Sequence, residues 1–219
     1  YDVRVCAMPC DITDDKEVDG FIADAKEKGI RIDMLLNVAG LDYEGGFTKR
    51  SFEDIDRILR VNIEATLRVT YKAMELRRKT GRFHIVFVSS LASMFPIPLK
   101  ATYAASKRFL LDFSIALGQE LKDRNVAVLA LCPGGLPTRE DCIRAIEAQG
   151  FWGIATTNAV EKVAHRTINR VLCGGKVYVP GALNRLFSAA GKMVPPCAVA
   201  KLLYGRWNRA QKEWLTAEK

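Results

Sequence analysis

Residues 83–107 read F-H-I-V-F-V-S-S-L-A-S-M-F-P-I-P-L-K-A-T-Y-A-A-S-K, and this stretch decides the fold and the chemistry that the sequence predicts. It begins as a continuous apolar run of strand length and ends with Tyr103 and Lys107, which a helix places on one face. Ser90 lies at the predicted carboxyl end of the strand, where open α/β sheets bind their ligands. A neighbouring ammonium brings the pKa of a phenol, ordinarily about 10, towards neutrality, so the spacing predicts an acid/base site.

Further motifs accompany this stretch along the chain. A Tyr-x-x-x-Lys pair alone is weak evidence, because the chain is rich in lysine and such a pair is more often a solvated helix face. The additional motifs are Asp11-Ile12, Asn37-Val38-Ala39-Gly40, Asn62 within R-V-N-I-E-A, and Pro133-Gly134 with Thr138. In order and spacing, from Val3 to about Val179, the chain resembles the short-chain dehydrogenase/reductase family.

The resemblance implies an α/β fold with a Rossmann-like, doubly wound parallel sheet, and an NAD(P)-dependent oxidoreductase that interconverts a carbonyl and a secondary alcohol. It implies that Tyr103 is the general acid/base, that Ser90 orients and polarises the carbonyl, and that Lys107 lowers the tyrosine pKa and holds the ribose. Asn62 is expected to hold a water that links the lysine to solvent as a proton relay. The expected contacts to NAD or NADP are Asp11, Asn37, Ala39, Gly40, Tyr103, Lys107, Pro133, Gly134 and Thr138. For Asp11, a plain turn residue is the alternative.

One family motif does not occur in these residues. Neither Gly-x-x-x-Gly-x-Gly nor Gly-x-Gly-x-x-Gly is found among the 219 residues, so the turn that would cradle the pyrophosphate is missing. Tyr1 aligns just before the family's third strand, and family sheets run 3-2-1-4-5-6-7. We therefore expect a sheet without the first βαβα portion, and a chain that as given binds no dinucleotide. The alternative function is a truncated, catalytically silent homologue that acts as a binding or membrane-surface protein.

Turn residues and apolar periodicity predict the order of the elements. Asn62 is expected in the middle of a helical segment, where asparagine has a low propensity. The predicted strands are Val3 to Pro9, Ile32 to Leu36, Phe83 to Ser90, Val126 to Cys132 and Lys176 to Val179. The predicted helices run from Thr13 to about Lys28, from Ser51 to about Arg78, from Tyr103 to about Lys122, over part of Glu140 to Thr157, and from Asn158 onwards.

Length and composition limit the classes of protein. A chain of 219 residues with 49% apolar residues can bury one sizeable core, so we expect one domain over residues 1–181 and an extension over 182–219. No apolar run approaches the roughly 18 to 20 residues that span a bilayer, and the first residues lack a signal pattern. The six cysteines show no C-x-x-C and no metal spacing, which favours free thiols in a reducing compartment and no metal. We expect a cytoplasmic protein.

The net charge of +8 is unevenly distributed. Residues 176–219 contain eight Lys or Arg and two Glu, a net charge of +6. A basic stripe with interleaved stacking aromatics is not seen, so nucleic acid is not an expected partner. An amphipathic pattern from Ala182 to Trp214, interrupted by Pro195-Pro196, predicts two basic helices. In one interpretation these helices lie on an anionic membrane. In the other they pack against protein, as a lid over the substrate pocket or as a dimer contact. Both interpretations stay open.

Two apolar segments bear on substrate and assembly. Phe151, Trp152 and Ile154 lie in the predicted substrate loop, which favours a lipid-like, acyl or alicyclic substrate, although core packing explains them equally well. The helix from Tyr103 to Lys122 is apolar nearly all round, which predicts that one side packs on the sheet and the other on a partner subunit. We therefore expect a homodimer or homotetramer.

Overall fold

The computed structural model describes residues 3–191 and 193–210, apart from the side chains of 141 and 206–210. Its centre is a four-stranded, fully parallel sheet in the order β1-β2-β3-β4. The strands are β1 (Met34–Asn37), β2 (Phe83–Val88), β3 (Val126–Leu131) and β4 (Val177–Tyr178). The helices are α1 (Asp15–Glu27), α2 (Phe52–Leu59), α3 (Thr66–Ala73), α4 (Ala101–Glu120), α5 (Glu140–Ala148), α6 (Gly150–Thr156), α7 (Val160–Leu172), α8 (Ala182–Gly191) and α9 (Pro196–Ala210).

The central strands are buried on both faces, as the continuous apolar runs predict. On one face, Ile85 and Phe87 of β2 pack against Leu110 of α4. On the opposite face, Val86 and neighbouring residues of β3 pack with Val163 of α7. Helices therefore cover both faces of the sheet, and the predicted doubly wound α/β fold is confirmed.

Side chains at the helix starts explain where two helices begin. Asp14 caps α1 by accepting from the backbone N–H groups of Lys16 at 2.7 Å and Glu17 at 3.3 Å. Ser51 caps α2 by accepting from the N–H of Asp54 at 3.1 Å. Both starts agree with the sequence prediction.

The predicted strand from Val3 to Pro9 is wrong. These residues form no sheet ladder in the described chain, and Val5 is 81% exposed. A strand is stabilised by a hydrogen-bonded neighbour, and no described segment provides one here. The same lack of a neighbour leaves the outer edge of β1 uncovered by any described strand, with Leu36 and Val38 exposed.

The structure corrects the description of two helices. The segment predicted as one helix from Ser51 to Arg78 contains a π-helical turn, Arg60–Ala65, between α2 and α3, and α3 ends at Ala73. Helix α4 is not covered all round, because Arg108 and Asp112 form a surface ion pair at 2.8 Å along an exposed stripe. Phe109 and Ile115 lie partly exposed on the same stripe. The subunit contact predicted for this side of α4 stays a prediction.

The C-terminal region forms two helices, α8 and α9, and the second begins at Pro196. Proline is tolerated at this first helical position because the N–H that it lacks would have no partner there. The predicted end near Trp214 and the side chain of Lys192 lie outside the described residues, as do the side chains of Arg206, Trp207 and Arg209. Among the described residues, no helix combines the length and apolar character needed to cross a bilayer.

Candidate active site at the carboxyl ends of the strands

The predicted catalytic residues meet at the carboxyl edge of the sheet. Ser90 follows β2 and caps a short 3₁₀ turn, Leu91–Met94, by accepting from the N–H of Ala92 at 3.1 Å. The loop then leads into the first turns of α4, which carry Tyr103 and Lys107. A backbone bond of 2.7 Å from the N–H of Leu91 to the carbonyl oxygen of Pro133 joins this loop to the end of β3. Parallel strands bring these segments to one edge because their carboxyl ends all point the same way.

The Ser90 side chain lies close to the Tyr103 hydroxyl and favours its phenolate form. Burial raises the pKa of Tyr103 to about 12, and the Asp42 carboxylate adds to the increase, while Ser90 and the Lys100 ammonium oppose it. The direction is opposite to the one that the sequence predicted. Desolvation of the phenolate outweighs the nearby cations, so Tyr103 is held protonated at neutral pH.

Lys107 is 4% exposed, and its ammonium donates to the carbonyl oxygen of Val88 at 2.9 Å. The ammonium nitrogen lies 5.8 Å from the centre of the Tyr103 ring. Burial lowers the pKa of Lys107 to about 8, although Asp42 acts in the opposite direction. At pH 7 the ammonium form still predominates, so a buried positive charge faces the tyrosine.

Asn62 lies in the π-helical turn, which explains an asparagine where an α-helix would disfavour one. Its amide nitrogen donates to the carbonyl oxygen of Leu41 at 2.9 Å and to Oγ of Ser106 at 3.0 Å. Its amide oxygen accepts from the N–H of Leu41 at 2.8 Å. Both amide hydrogens are thus used in tying residue 41 to α4, and the proton-relay role of Asn62 stays a prediction.

A group of charged side chains next to Tyr103 was not predicted. Lys100 forms ion pairs with Asp42, at 2.7 Å, and with Glu44, and its ammonium lies 5.6 Å from the centre of the Tyr103 ring. Burial alone would lower the pKa of Lys100, but the two carboxylates raise it above its ordinary value. The sequence signal was weak, because Asp42 and Lys100 are 58 residues apart and belong to no shared motif.

The backbone around Lys100 holds this group in place. Leu99 adopts a positive φ of 66°, which is uncommon for a residue other than glycine, and its carbonyl oxygen accepts from the N–H of Gly45 at 2.8 Å. That bond joins the loop before α4 to the loop that carries Asp42 and Glu44. The strained backbone at Leu99 thus lies close to Tyr103, and such strain tends to occur near functional sites.

Asp42→Asn should lower the pKa of Tyr103 by about one unit, because it removes a negative charge that disfavours the phenolate. The measurement is a pH titration of the chain labelled with tyrosine carrying ¹³C at Cζ, in which Tyr103→Phe identifies the relevant signal. Asp33→Asn is the matched control, since Asp33 pairs at 2.6 Å with Arg78 on the surface. An unchanged Tyr103 titration in Asp42→Asn would show that the carboxylate does not act on the phenol.

The predicted cofactor residues after β1 lie at the same edge. Asn37 donates from its side-chain nitrogen to Oγ1 of Thr70 at 3.1 Å, so its amide braces α3. Ala39 and Gly40 are exposed, and a Cβ at Gly40 would lie 3.0 Å from Nζ of Lys107. The glycine therefore allows the backbone to approach the lysine closely.

The remaining predicted cofactor residues lie in loops, either at the carboxyl edge of the sheet or before α1. The carboxylate of Asp11 accepts from the N–H of Thr13 at 2.9 Å, as a turn residue does. Thr138 is exposed, and its hydroxyl donates to Sγ of Cys142 at 3.7 Å. Whether Asp11, Pro133 or Thr138 contacts a dinucleotide stays a prediction.

Gly134 is required for packing whatever else it contacts. A Cβ at this position would collide with the carbonyl oxygen of Thr156 and approach the amide of Asn184 to 2.9 Å. Asn184 is buried and donates to the carbonyl oxygens of Thr156, at 3.0 Å, and Pro180, at 2.8 Å. It joins α8 to the end of α6. Sequence reasoning missed this residue, because an asparagine in an apolar helix resembles an ordinary surface position.

The arrangement as a whole can donate a proton to an oxygen atom. It presents one phenolic hydroxyl beside a serine, a buried ammonium near the phenol ring, and exposed backbone at Ala39 and Gly40. Among the described residues, no group of three or more His, Cys, Asp or Glu could hold a metal ion.

Comparison with known proteins agrees with this geometry. A family model described as short chain dehydrogenase matches residues 2–142. The chain is 26% identical over 197 residues to the ketoacyl reductase HetN of Nostoc sp., a match that covers 88% of this chain and 68% of that protein. It is 25% identical over 193 residues to the 3-oxoacyl-[acyl-carrier-protein] reductase MabA of Mycobacterium avium, covering 86% of this chain and 71% of that protein.

Among solved structures, a double mutant of a Serratia marcescens short-chain dehydrogenase/reductase matches with a TM-score of 0.65 and 20% identity, covering 80% of this chain and 75% of that one. Its identity is low, so the likeness supports the fold alone. Because the family model matches more than half of the residues, the chain belongs to the short-chain dehydrogenase family of oxidoreductases. It spans about half the length of other curated relatives that it matches, 47% and 54% in two cases.

Proposed function

We propose that the chain carries the catalytic residues of an NAD(P)-dependent reductase that converts a carbonyl into a secondary alcohol on an apolar substrate. The observation that supports this most is the placement of Tyr103 beside Ser90, with the Lys107 ammonium 5.8 Å from the centre of its ring. The protonation state of Tyr103 suits the reduction direction of this proposal. A phenol with a pKa of about 12 is protonated at neutral pH and therefore acts as the proton donor that reduction requires.

In this proposal the carbonyl oxygen of the substrate lies between the hydroxyls of Ser90 and Tyr103. The Ala92 N–H, bonded to Oγ of Ser90, fixes the orientation of that hydroxyl. Ser90 polarises the carbonyl, and Tyr103 donates its proton to the oxygen as negative charge develops there. The ammonium of Lys107 then stabilises the phenolate that remains, because it is close and largely shielded from water.

The residues present fit the nicotinamide half of a dinucleotide. Lys107 uses one N–H on Val88 and retains other donors for a ribose, while Ala39 and Gly40 offer exposed backbone close to it. A bound nicotinamide would supply the hydride; the protein would supply the position of the substrate and the proton. No glycine-rich turn for the pyrophosphate occurs among the 219 residues.

An apolar substrate is favoured by the segment beyond β3. Phe151 is 74% exposed, and Trp152 makes an edge-to-face contact with Phe151 and a tilted contact with Phe187 of α8, with ring centroids 5.4 and 5.6 Å apart. These side chains belong to none of the four hydrophobic core clusters of the described residues, so core packing does not account for all of them. The names of HetN and MabA, both reductases of ketoacyl compounds, point to an acyl substrate.

Binding of NADH or NADPH, measured by calorimetry, and reduction of 3-oxoacyl thioesters test the proposal. A polypeptide that contains these residues should consume reduced nicotinamide in proportion to substrate, and Tyr103→Phe should bind the dinucleotide yet fail to turn over. Binding to neither dinucleotide by any polypeptide containing residues 1–219 would favour the alternative, a silent homologue. Binding without turnover of any carbonyl compound would refute the catalytic assignment while keeping the cofactor site.

A further inference from the structure

Helix α9, which spans Pro196–Ala210, has one partly buried side, with Val199, Ala200 and Leu203, and one exposed apolar side. Leu202 is 75% exposed, and Tyr204 is also exposed. A helix of 15 residues is marginally stable in water by itself, because most helical stability comes from packing of an apolar face. Some other surface is therefore expected to cover it.

The apolar exposure continues onto α8 and the loop before α9. Leu186 is 63% exposed and Met193 is 87% exposed, and Val194 is also accessible. Helix α8 itself is anchored by Asn184 and by the contact between Trp152 and Phe187. The exposed side of α8 thus has a fixed position on the protein, whereas its apolar side chains have no described partner.

The charge of this region is of one sign. Residues 162–212 contain ten Lys or Arg and no Asp or Glu, a run of 51 residues between Glu161 and Glu213. Arg185 and Lys201 are exposed on α8 and α9. Arg185 also lines a cavity of about 330 Å³ together with Arg170, whose guanidinium lies 4.6 Å from the centre of the Tyr178 ring. Arg185 and Lys201 thus lie on the same two helices as the exposed apolar side chains Leu186 and Leu202.

We propose that α8 and α9 bind the surface of an anionic lipid bilayer, with Leu186, Met193, Val194 and Leu202 in the interface. The basic side chains would lie near headgroup phosphates, as on other interfacial helices. A second copy of the chain is a poorer occupant, because a two-fold contact would place this patch against itself and bring like charges together. The surface is distinct from the carboxyl-edge site, and binding through it does not depend on the reductase assignment.

Co-sedimentation with vesicles tests the proposal on the full chain. Vesicles of phosphatidylcholine with phosphatidylglycerol should pellet the protein at low salt, and vesicles of phosphatidylcholine alone should not. Raising the salt to about 1 M, where the Debye length falls to about 3 Å, should release it. Equal pelleting with both vesicles, or none with anionic vesicles at low salt, would overturn the proposal.

Two pairs of substitutions separate the apolar and the charged contributions. Arg185→Gln with Lys201→Gln should weaken vesicle binding by about 30-fold, since each basic residue near an anionic surface contributes about 1 kcal/mol. The matched control is Lys28→Gln with Arg60→Gln, two surface residues of the opposite half of the chain that pair with Asp24 and Asp56. Binding by the Arg185 and Lys201 variant equal to that of its control would contradict an electrostatic surface.

Leu186→Glu with Leu202→Glu should abolish pelleting, while Phe52→Glu, at a residue that is 73% exposed on α2, should not. All of these positions are exposed, so each variant should keep the far-ultraviolet circular dichroism of the parent. Sedimentation velocity distinguishes the rival occupant. A dimer that persists at high salt and dissociates in Leu186→Glu with Leu202→Glu would assign the surface to a second copy and refute the membrane proposal.

Discussion

Tyr103→Phe should lower the turnover of any active polypeptide that contains this chain by about 10² to 10⁴, with little change in affinity for the dinucleotide. The substitution removes one hydroxyl, which lies beside Ser90, and keeps the ring, whose centre is 5.8 Å from the Lys107 ammonium. The loss should appear in kcat more than in KM, because the proton transfer is needed in the transition state and the ring still fills the site. Steady-state kinetics with a saturating reduced nicotinamide measures both constants.

Tyr43→Phe is the matched control for that experiment. Tyr43 lies in the loop after β1, where Arg50 sits 5.7 Å above its ring, and its hydroxyl has no place in the proposed proton transfer. We expect near-normal turnover in Tyr43→Phe. Retention of more than about a tenth of the parent activity in Tyr103→Phe would remove this residue from the role of proton donor.

The sheet could be predicted from the sequence because its central strands need no special context. The runs Phe83 to Val88 and Val126 to Leu131 are apolar apart from His84, which is typical of strands covered on both faces. Val3 to Pro9 has a similar local pattern and forms no strand, since an isolated extended segment gains no ladder bonds. Local sequence indicates a preference for a strand. Whether the strand forms depends on a neighbouring strand, and that neighbour is provided by the whole fold.

The sequence could predict which residues form the candidate catalytic site, but not the electrostatic environment that surrounds them. The four-residue spacing of Tyr103 and Lys107 is enough to place both on one face of α4. The direction in which the pKa of Tyr103 moves depends on burial and on Asp42, which approaches through a separate loop. No pattern within residues 83–107 records that carboxylate, so the expected lowering of the pKa was wrong.

The same limit explains why Asn62 and Asn184 were treated differently. Asn62 was noticed because asparagine is unfavourable inside an α-helix, and the structure supplies the reason in a π-helical turn tied to residue 41. Asn184 is also a polar residue in an apolar helix, but its hydrogen bonds to Thr156 and Pro180 connect segments that only folding brings together. A polar residue in an apolar helix is therefore a signal, but its partners are not readable from spacing.

Lys107→Met should stabilise the fold at neutral pH even though it should impair catalysis. The buried ammonium has an ordinary pKa of 10.5 that burial lowers to about 8, which corresponds to about 3 kcal/mol of unfavourable free energy for the charged form. Methionine has similar length and no charge, so it removes this cost. The carbonyl oxygen of Val88 loses its donor, which costs about 1 kcal/mol. We expect a net gain of about 2 kcal/mol in urea unfolding at pH 7.

The pH dependence gives the sharper test of the same prediction. Between pH 8 and 10.5 the unfolded chain keeps the Lys107 proton that the folded chain releases, so the unfolded state binds more protons and stability rises with pH. Below pH 8 both states are protonated and the full cost is present; above 10.5 both are neutral and it is gone. The free energy of unfolding of the parent should therefore rise by about 2 kcal/mol from pH 8 to 10 relative to Lys107→Met.

Comparing the two proteins in a Cys132→Ala background cancels the other groups that titrate in this range. That background is needed because the thiol of Cys132, whose pKa burial raises, also interacts with Lys107. Lys28→Met provides the control for loss of a lysine, because Lys28 is exposed and pairs with Asp24 within one helical turn. If the free energies of unfolding of the parent and of Lys107→Met change in parallel from pH 8 to 10, the buried charge of Lys107 does not destabilise the fold. A difference of the expected sign would instead mean that the buried ammonium near Tyr103 destabilises the fold. Such a loss of stability is understandable where the ammonium has to stabilise a phenolate.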